Sequence, residues 1–109
     1  MKRWIAVIAL SGIAAGGASA QTIDAKKANE LMGKAACNAC HSVDKKGVGP
    51  AYNEVAKKYK GDAKAPDLLA GKVRKGGQGT WGPVPMPPNA PDKISDDEVK
   101  QLVAWILSL

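Results

Sequence analysis

The stretch AACNACHS, residues 35–42, contains Cys37, Cys40 and His41, which are both cysteines and the only histidine of a 109-residue chain. Two thiols and an imidazole within five positions suit a redox disulfide, a zinc site or a covalently held haem. A thioredoxin-like Cys-x-x-Cys follows a strand in a mixed sheet, and nothing in this chain reads as a strand. Structural zinc takes four ligands, usually as two separated pairs. Here the Cys and His supply ends at three, and the adjacent Cys40 and His41 face one small ion poorly. Haem attachment asks for this arrangement. Two thiols add to the two vinyl groups as thioethers, and C-x-x-C-H is the recognised attachment sequence. Cys37 and Cys40, three apart, are expected along one face of a helix. His41, four from Cys37, then brings Nε2 beneath the ring as an iron ligand.

A ligating histidine donates its other ring N–H to an acceptor, which fixes the tautomer. The segment GVGP, residues 47–50, can return over His41 and offer a backbone carbonyl, or it can be an ordinary turn. Both readings stand at this point.

Upstream, Met1, Lys2 and Arg3 precede an apolar run that ends in Ala-Ser-Ala at Ala20. A charged start, an apolar middle and a small-residue end describe a secretory signal peptide over residues 1–20, cut before Gln21. The run is shorter than the ~20 apolar residues of a spanning helix, so no stable membrane insertion is expected. Removing residues 1–20 leaves 89, and the formal charge falls from +6 to +4 because Lys2 and Arg3 leave and no acid does. A single domain of this size has little core of its own. There is no phenylalanine, and the aromatics after residue 20 are Tyr52, Tyr59, Trp81 and Trp105. A large flat cofactor would fill such a centre.

Periodicity and caps predict an all-α domain, residues 21–109, of about four helices. The first is expected over residues 24–41, capped by Asp24 or Thr22, with Ala28, Leu31, Met32, Ala35 and Ala36 on one side. The second covers residues 52–59. The third starts at Pro66, carries Leu68, Leu69 and Val73, and stops at Gly76-Gly77. The fourth starts at Ser95, which forms a capping-box pattern with Glu98. Its stripe is Val99, Leu102, Val103 and Ile106. Between the last two lies GGQGTWGPVPMPPNAPDK, residues 76–93, with five prolines and four glycines. Connections of this length are usually functional or disordered, and the prolines argue for order.

That loop carries Met86. A thioether on the second haem face raises the reduction potential, and a filled face leaves electron transfer rather than ligand chemistry. Met32 sits too close to the cysteines to reach that face and reads as core. Met86, set among prolines, reads as the distal ligand, against the alternative of local packing.

CNACH, GVGP, WGPVPMPPN and the terminal SDDEVKQLVAWILSL together resemble the small bacterial class I cytochromes c of the c-551 / c8 kind, over essentially the whole chain after residue 20. The resemblance implies the compact class I cytochrome c fold around one haem c, with crossed first and last helices, and a periplasmic carrier rather than an enzyme. It places the thioethers on Cys37 and Cys40, and the axial ligands on His41 and Met86. It assigns the proton-accepting carbonyl to Pro50 and a propionate-bonding indole to Trp81, and it puts Asn89 near the methionine sulfur. Lys72 stands where an arginine near the propionates is common, and Leu31 or Met32 replaces the family's usual phenylalanine. Redox partners such as a cytochrome bc1-type donor and a terminal oxidase, nitrite reductase or peroxidase acceptor follow, with the protein as a monomer. Lys57, Lys58, Lys60, Lys64, Lys72 and Arg74 could steer it to acidic partner faces. Nucleic acid is not expected, since no recognised motif accompanies the charge. Two rival readings are a haem subunit docked to a larger redox enzyme, and a small haem peroxidase or ligand sensor. The second would need a distal acid–base residue, yet there is no second histidine.

Overall fold

In the computed structural model, which describes residues 23–109, four α-helices enclose the core. They are α1 (Ala25–Lys34), α2 (Tyr52–Lys58), α3 (Ala65–Lys75) and α4 (Asp96–Leu107). The expected signal peptide lies outside the described residues. Among those residues the only extended pairing is an isolated bridge between Gly77 and Met86, so the chain is all-α. No helix there is long and apolar enough to cross a membrane.

Three helix boundaries follow the sequence signals closely. Asp24 caps α1, its Oδ1 accepting the Lys27 N–H at 2.8 Å. Pro66 sits in the first turn of α3, where its missing N–H costs no ladder bond. Ser95 and Glu98 form the complete reciprocal capping box of α4.

The first helix departs from expectation. It ends at Lys34 rather than running on to His41. Ala36 adopts left-handed backbone, φ 57, which breaks the i→i−4 ladder. Cys37–Ala39 then form a separate 3₁₀ turn. The cysteines therefore sit on a tight turn, not on the face of α1. One helical contact survives, from His41 N–H to the Cys37 carbonyl at 2.9 Å.

Helix α4 organises the interior by packing on α1, α2 and α3. Its stripe Val99, Leu102, Val103 and Ile106 is buried, and Leu31 and Met32 of α1 are equally sequestered. Each such aliphatic side chain contributes about 1.5–3 kcal/mol on burial. Leu31 and Met32, the two residues expected at the position of the family's phenylalanine, are both part of this core. Helix α3 buries only Ala65 completely. Leu69 and Val73 face the inner crevice, while Leu68 points outward at 45% exposure.

Lys34 Nζ of α1 reaches Glu98 Oε1 of α4 at 2.8 Å. That ammonium, then the Ser95 backbone N–H, holds the Glu98 carboxyl at about 2. In the unfolded chain a glutamate titrates near ~4.3. The stabilisation is therefore present above ~4.3 and lost as pH falls toward 2. Glu98→Gln keeps the bond to Ser95 and removes the charge. Denaturant unfolding of the loaded protein from neutral to acid pH should show a deficit for this variant that shrinks across that window. A deficit independent of pH would contradict the assignment.

Candidate cofactor-binding site

A crevice of about 1220 Å³, counting its open mouth, lies between the cysteine turn and the proline-rich loop. Cys37, Cys40, His41, Pro50, Trp81 and Met86 all line it, though they come from three separate stretches of chain. The walls are mostly apolar.

On one side the imidazole of His41 is locked. Its Nδ1 lies 2.8 Å from the Pro50 carbonyl oxygen. A carbonyl can only accept, so Nδ1 carries the proton, which leaves Nε2 as the nitrogen whose lone pair can bind a metal. GVGP thus returns over the histidine. Gly49 N–H donates to the Cys40 carbonyl at 2.8 Å and stitches the turn in place. Glycine is required here, because a Cβ at residue 49 would stand 2.5 Å from His41 Cε1. Tyr52 stacks on the imidazole, with centroids 5.0 Å apart and planes 17° from parallel. Its N–H binds the Ser42 carbonyl at 2.9 Å, which ties the start of α2 to the attachment segment. Burial, followed by the neighbouring Cys37, pushes the Tyr52 hydroxyl well above its ordinary value, so it stays neutral. Burial also raises the Cys37 thiol. The two cysteines are not joined in a disulfide.

Across the crevice, Met86 is held by its own backbone. Its N–H donates to the Gly77 carbonyl at 2.7 Å, and Gly77 N–H donates back to the Met86 carbonyl at 3.1 Å. Gly76 takes φ 73, and a Cβ there would collide with the Met86 carbonyl oxygen. Three residues on, Asn89 is buried and grips the end of α3. Its Nδ2 donates to the Val73 carbonyl at 2.9 Å, and its N–H donates to the Arg74 carbonyl at 3.2 Å. These are terminal helix carbonyls with no partner in their own helix. Asn89, placed by resemblance near the methionine sulfur, thus spends one Nδ2 N–H on α3. Trp81, 43% exposed, stands at the mouth with Lys58 Nζ 5.7 Å from its ring. Lys72 also lines the crevice.

Three residues in this assembly were not singled out by sequence reasoning. Tyr52 reads only as a helical core position, and Gly49 only as part of a turn. Arg74 was grouped with the steering lysines, but its guanidinium is bonded to three acceptors. The available signal was its isolation, as the only arginine after residue 20.

The donor set suits one kind of group. Two thiols, an imidazole with Nε2 available and a thioether face a single apolar crevice, which fits an iron porphyrin attached through thioethers. Among the described residues no cluster of three or more His, Cys, Asp or Glu side chains converges as a zinc site requires. The fold and site define a c-type haem protein.

Comparison with known proteins agrees. Residues 25–109 match the family described as Cytochrome c. The chain is 48% identical over 99 residues to cytochrome c-551 of Pseudomonas aeruginosa, covering 91% of this chain and 92% of that one. It is 55% identical over 83 residues to cytochrome c-552 of Hydrogenobacter thermophilus, covering 75% of this chain and 82% of that one. The crystal structure of Nitrosomonas europaea cytochrome c552 superposes with a TM-score of 0.70 at 46% identity, covering 74% of this chain and 98% of that one. The chain belongs to the cytochrome c family: electron carriers, not enzymes, that hold c-type haem and its iron covalently.

Gly49→Ala tests the proximal cradle. The added methyl must displace an imidazole that Pro50 holds in place, so the loaded protein should lose about 1–3 kcal/mol of stability. Denaturant unfolding measures this, and an unchanged midpoint would show that the ring is free to yield.

Proposed function

We propose that this chain is a periplasmic one-electron carrier, attached to haem at Cys37 and Cys40, with His41 and Met86 as axial iron ligands. The observation that carries the reading is that His41 and Met86 line one crevice from two independently anchored segments.

Bound haem supplies an iron that alternates between ferrous and ferric states. The chain's own residues govern how it does so. Pro50 keeps the proton on Nδ1 and so keeps Nε2 available to iron. The Met86 thioether, a soft and neutral donor, favours the reduced state and raises the potential. The bridge to Gly77 limits the travel of Met86, so coordination changes little as charge changes. Tyr52 and the apolar walls exclude water from the proximal side. The rival peroxidase reading lacks a distal histidine, because His41 is the only one in the chain.

Residues 1–20 support export, and cleavage before Gln21 leaves a basic carrier. Lys57, Lys60, Lys64 and Lys72 suit acidic faces on respiratory proteins, such as a cytochrome bc1-type donor and an oxidase, nitrite reductase or peroxidase acceptor. Lys58 lies beside Trp81 at the crevice mouth, where a docking partner would meet it.

An optical and redox titration of the purified protein tests the ligation. Low-spin spectra are expected in both states, with a methionine–iron charge-transfer band in the ferric form. Met86→Ala should lose that band, lower the potential and bind cyanide rapidly. A high-spin ferric spectrum in the unmutated protein would overturn the reading.

Electron transfer to an acidic partner should slow about tenfold or more as salt is raised. Rates indifferent to ionic strength would remove the steering role of the lysines.

A further inference from the structure

Arg74, in the last turn of α3, reaches across the base of the loop that carries Met86. Nη1 donates to the Asn89 carbonyl at 2.9 Å and to the Ile94 carbonyl at 2.9 Å. Nη2 donates to Asp96 Oδ1 at 2.6 Å. The Arg74 carbonyl in turn accepts the Asn89 N–H. One residue thus binds the loop just after its methionine, the residue before the α4 cap, and the first turn of α4. The Gly77–Met86 bridge fastens the same segment only three residues earlier. If Asn89 moves off α3, the two bonds to Gly77 are the backbone hydrogen bonds that remain at Met86.

We propose that Arg74 is a positioning residue that keeps the Met86 sulfur on the iron by clamping the returning limb of its loop to the end of α3. The proposal rests on the reading of Met86 as distal ligand. A planar fork suits this task better than an ammonium, because Nη1 and Nη2, held apart in one rigid plane, share two carbonyls and a carboxylate, whereas an ammonium must gather all three on one atom. The clamp does not touch the iron. It acts by making displacement of Met86 costly, since the loop must shed charge-assisted bonds to open.

The test uses the haem-loaded ferric protein and imidazole as the competing ligand. Imidazole binding is followed through loss of the methionine–iron band in wild type, Arg74→Gln, Arg74→Lys and Ala28→Gly. Ala28 is fully buried in α1 and does not line the crevice, so Ala28→Gly reports general destabilisation. Arg74→Gln should raise the affinity for imidazole about tenfold or more, the scale of one lost bond to a charged group. Arg74→Lys should fall between it and wild type. Ala28→Gly should lower the unfolding midpoint yet leave imidazole affinity within about twofold, as expected for distant independent sites. Amide exchange at Gly77 and Met86 should quicken in the Arg74 variants and not in Ala28→Gly. If the Arg74 variants bind imidazole no better than Ala28→Gly, Arg74 is only a stabilising contact and the proposal is overturned with Met86 still a ligand. If the wild-type ferric protein lacks the methionine band, the ligand reading fails and the clamp proposal falls with it.

Discussion

The hydrogen bond from His41 Nδ1 to the Pro50 carbonyl, at 2.8 Å, is the contact on which the cysteine-turn side of the crevice depends. It decides which ring nitrogen holds the proton and therefore which is free to bind a metal. It also dictates the path of the chain after the cysteine turn. To place a carbonyl at that spot, residues 47–50 must double back over the ring. To come that close, residue 49 must lack a side chain. Once the doubling back is made, α2 begins two residues later, and its first residue, Tyr52, stacks on the imidazole.

The opposite wall of the crevice, around Met86, is held by a different kind of contact. A methionine has no proton to anchor and its thioether is a weak acceptor, so the side chain cannot be fixed by hydrogen bonding. The backbone is fixed in its place. Gly77 pairs with Met86 in both directions, and Asn89 satisfies two carbonyls at the end of α3. The loop and the helix terminus are therefore mutually dependent: each supplies the polar partners that the other lacks. The prolines reduce the conformations open to the loop, but the bonds to α3 choose among them.

Much of this was legible beforehand, because it rests on local rules. The capping box of Ser95 and Glu98, Pro66 at the start of α3 and the apolar stripe of α4 are written within a few residues of one another. The attachment motif is equally local. The end of α1 was misread because Ala35 and Ala36 continue an apolar helical pattern, and alanine is the strongest helix former. The left-handed turn at Ala36 comes from the surroundings, which override the propensity of the residue. Arg74 was misread for a related reason. Its position among lysines suggests a solvated basic face, while its acceptors lie 15 to 22 residues further along the chain. Tyr52 behind His41 belongs to the same class of contact, invisible until the turn between them is folded.

The break at Ala36 has a consequence for how such a protein can vary. In one unbroken helix, each residue inserted or removed upstream would rotate the thiols by about 100° about the axis. The left-handed residue uncouples the two segments. Helix α1 answers to the surface of α4, where Leu31 and Met32 are buried, and the 3₁₀ turn answers to the geometry of the crevice. Helix tilt and sulfur placement thereby become separately adjustable, and drift in the packing of α1 is absorbed at one joint before it reaches the attachment atoms.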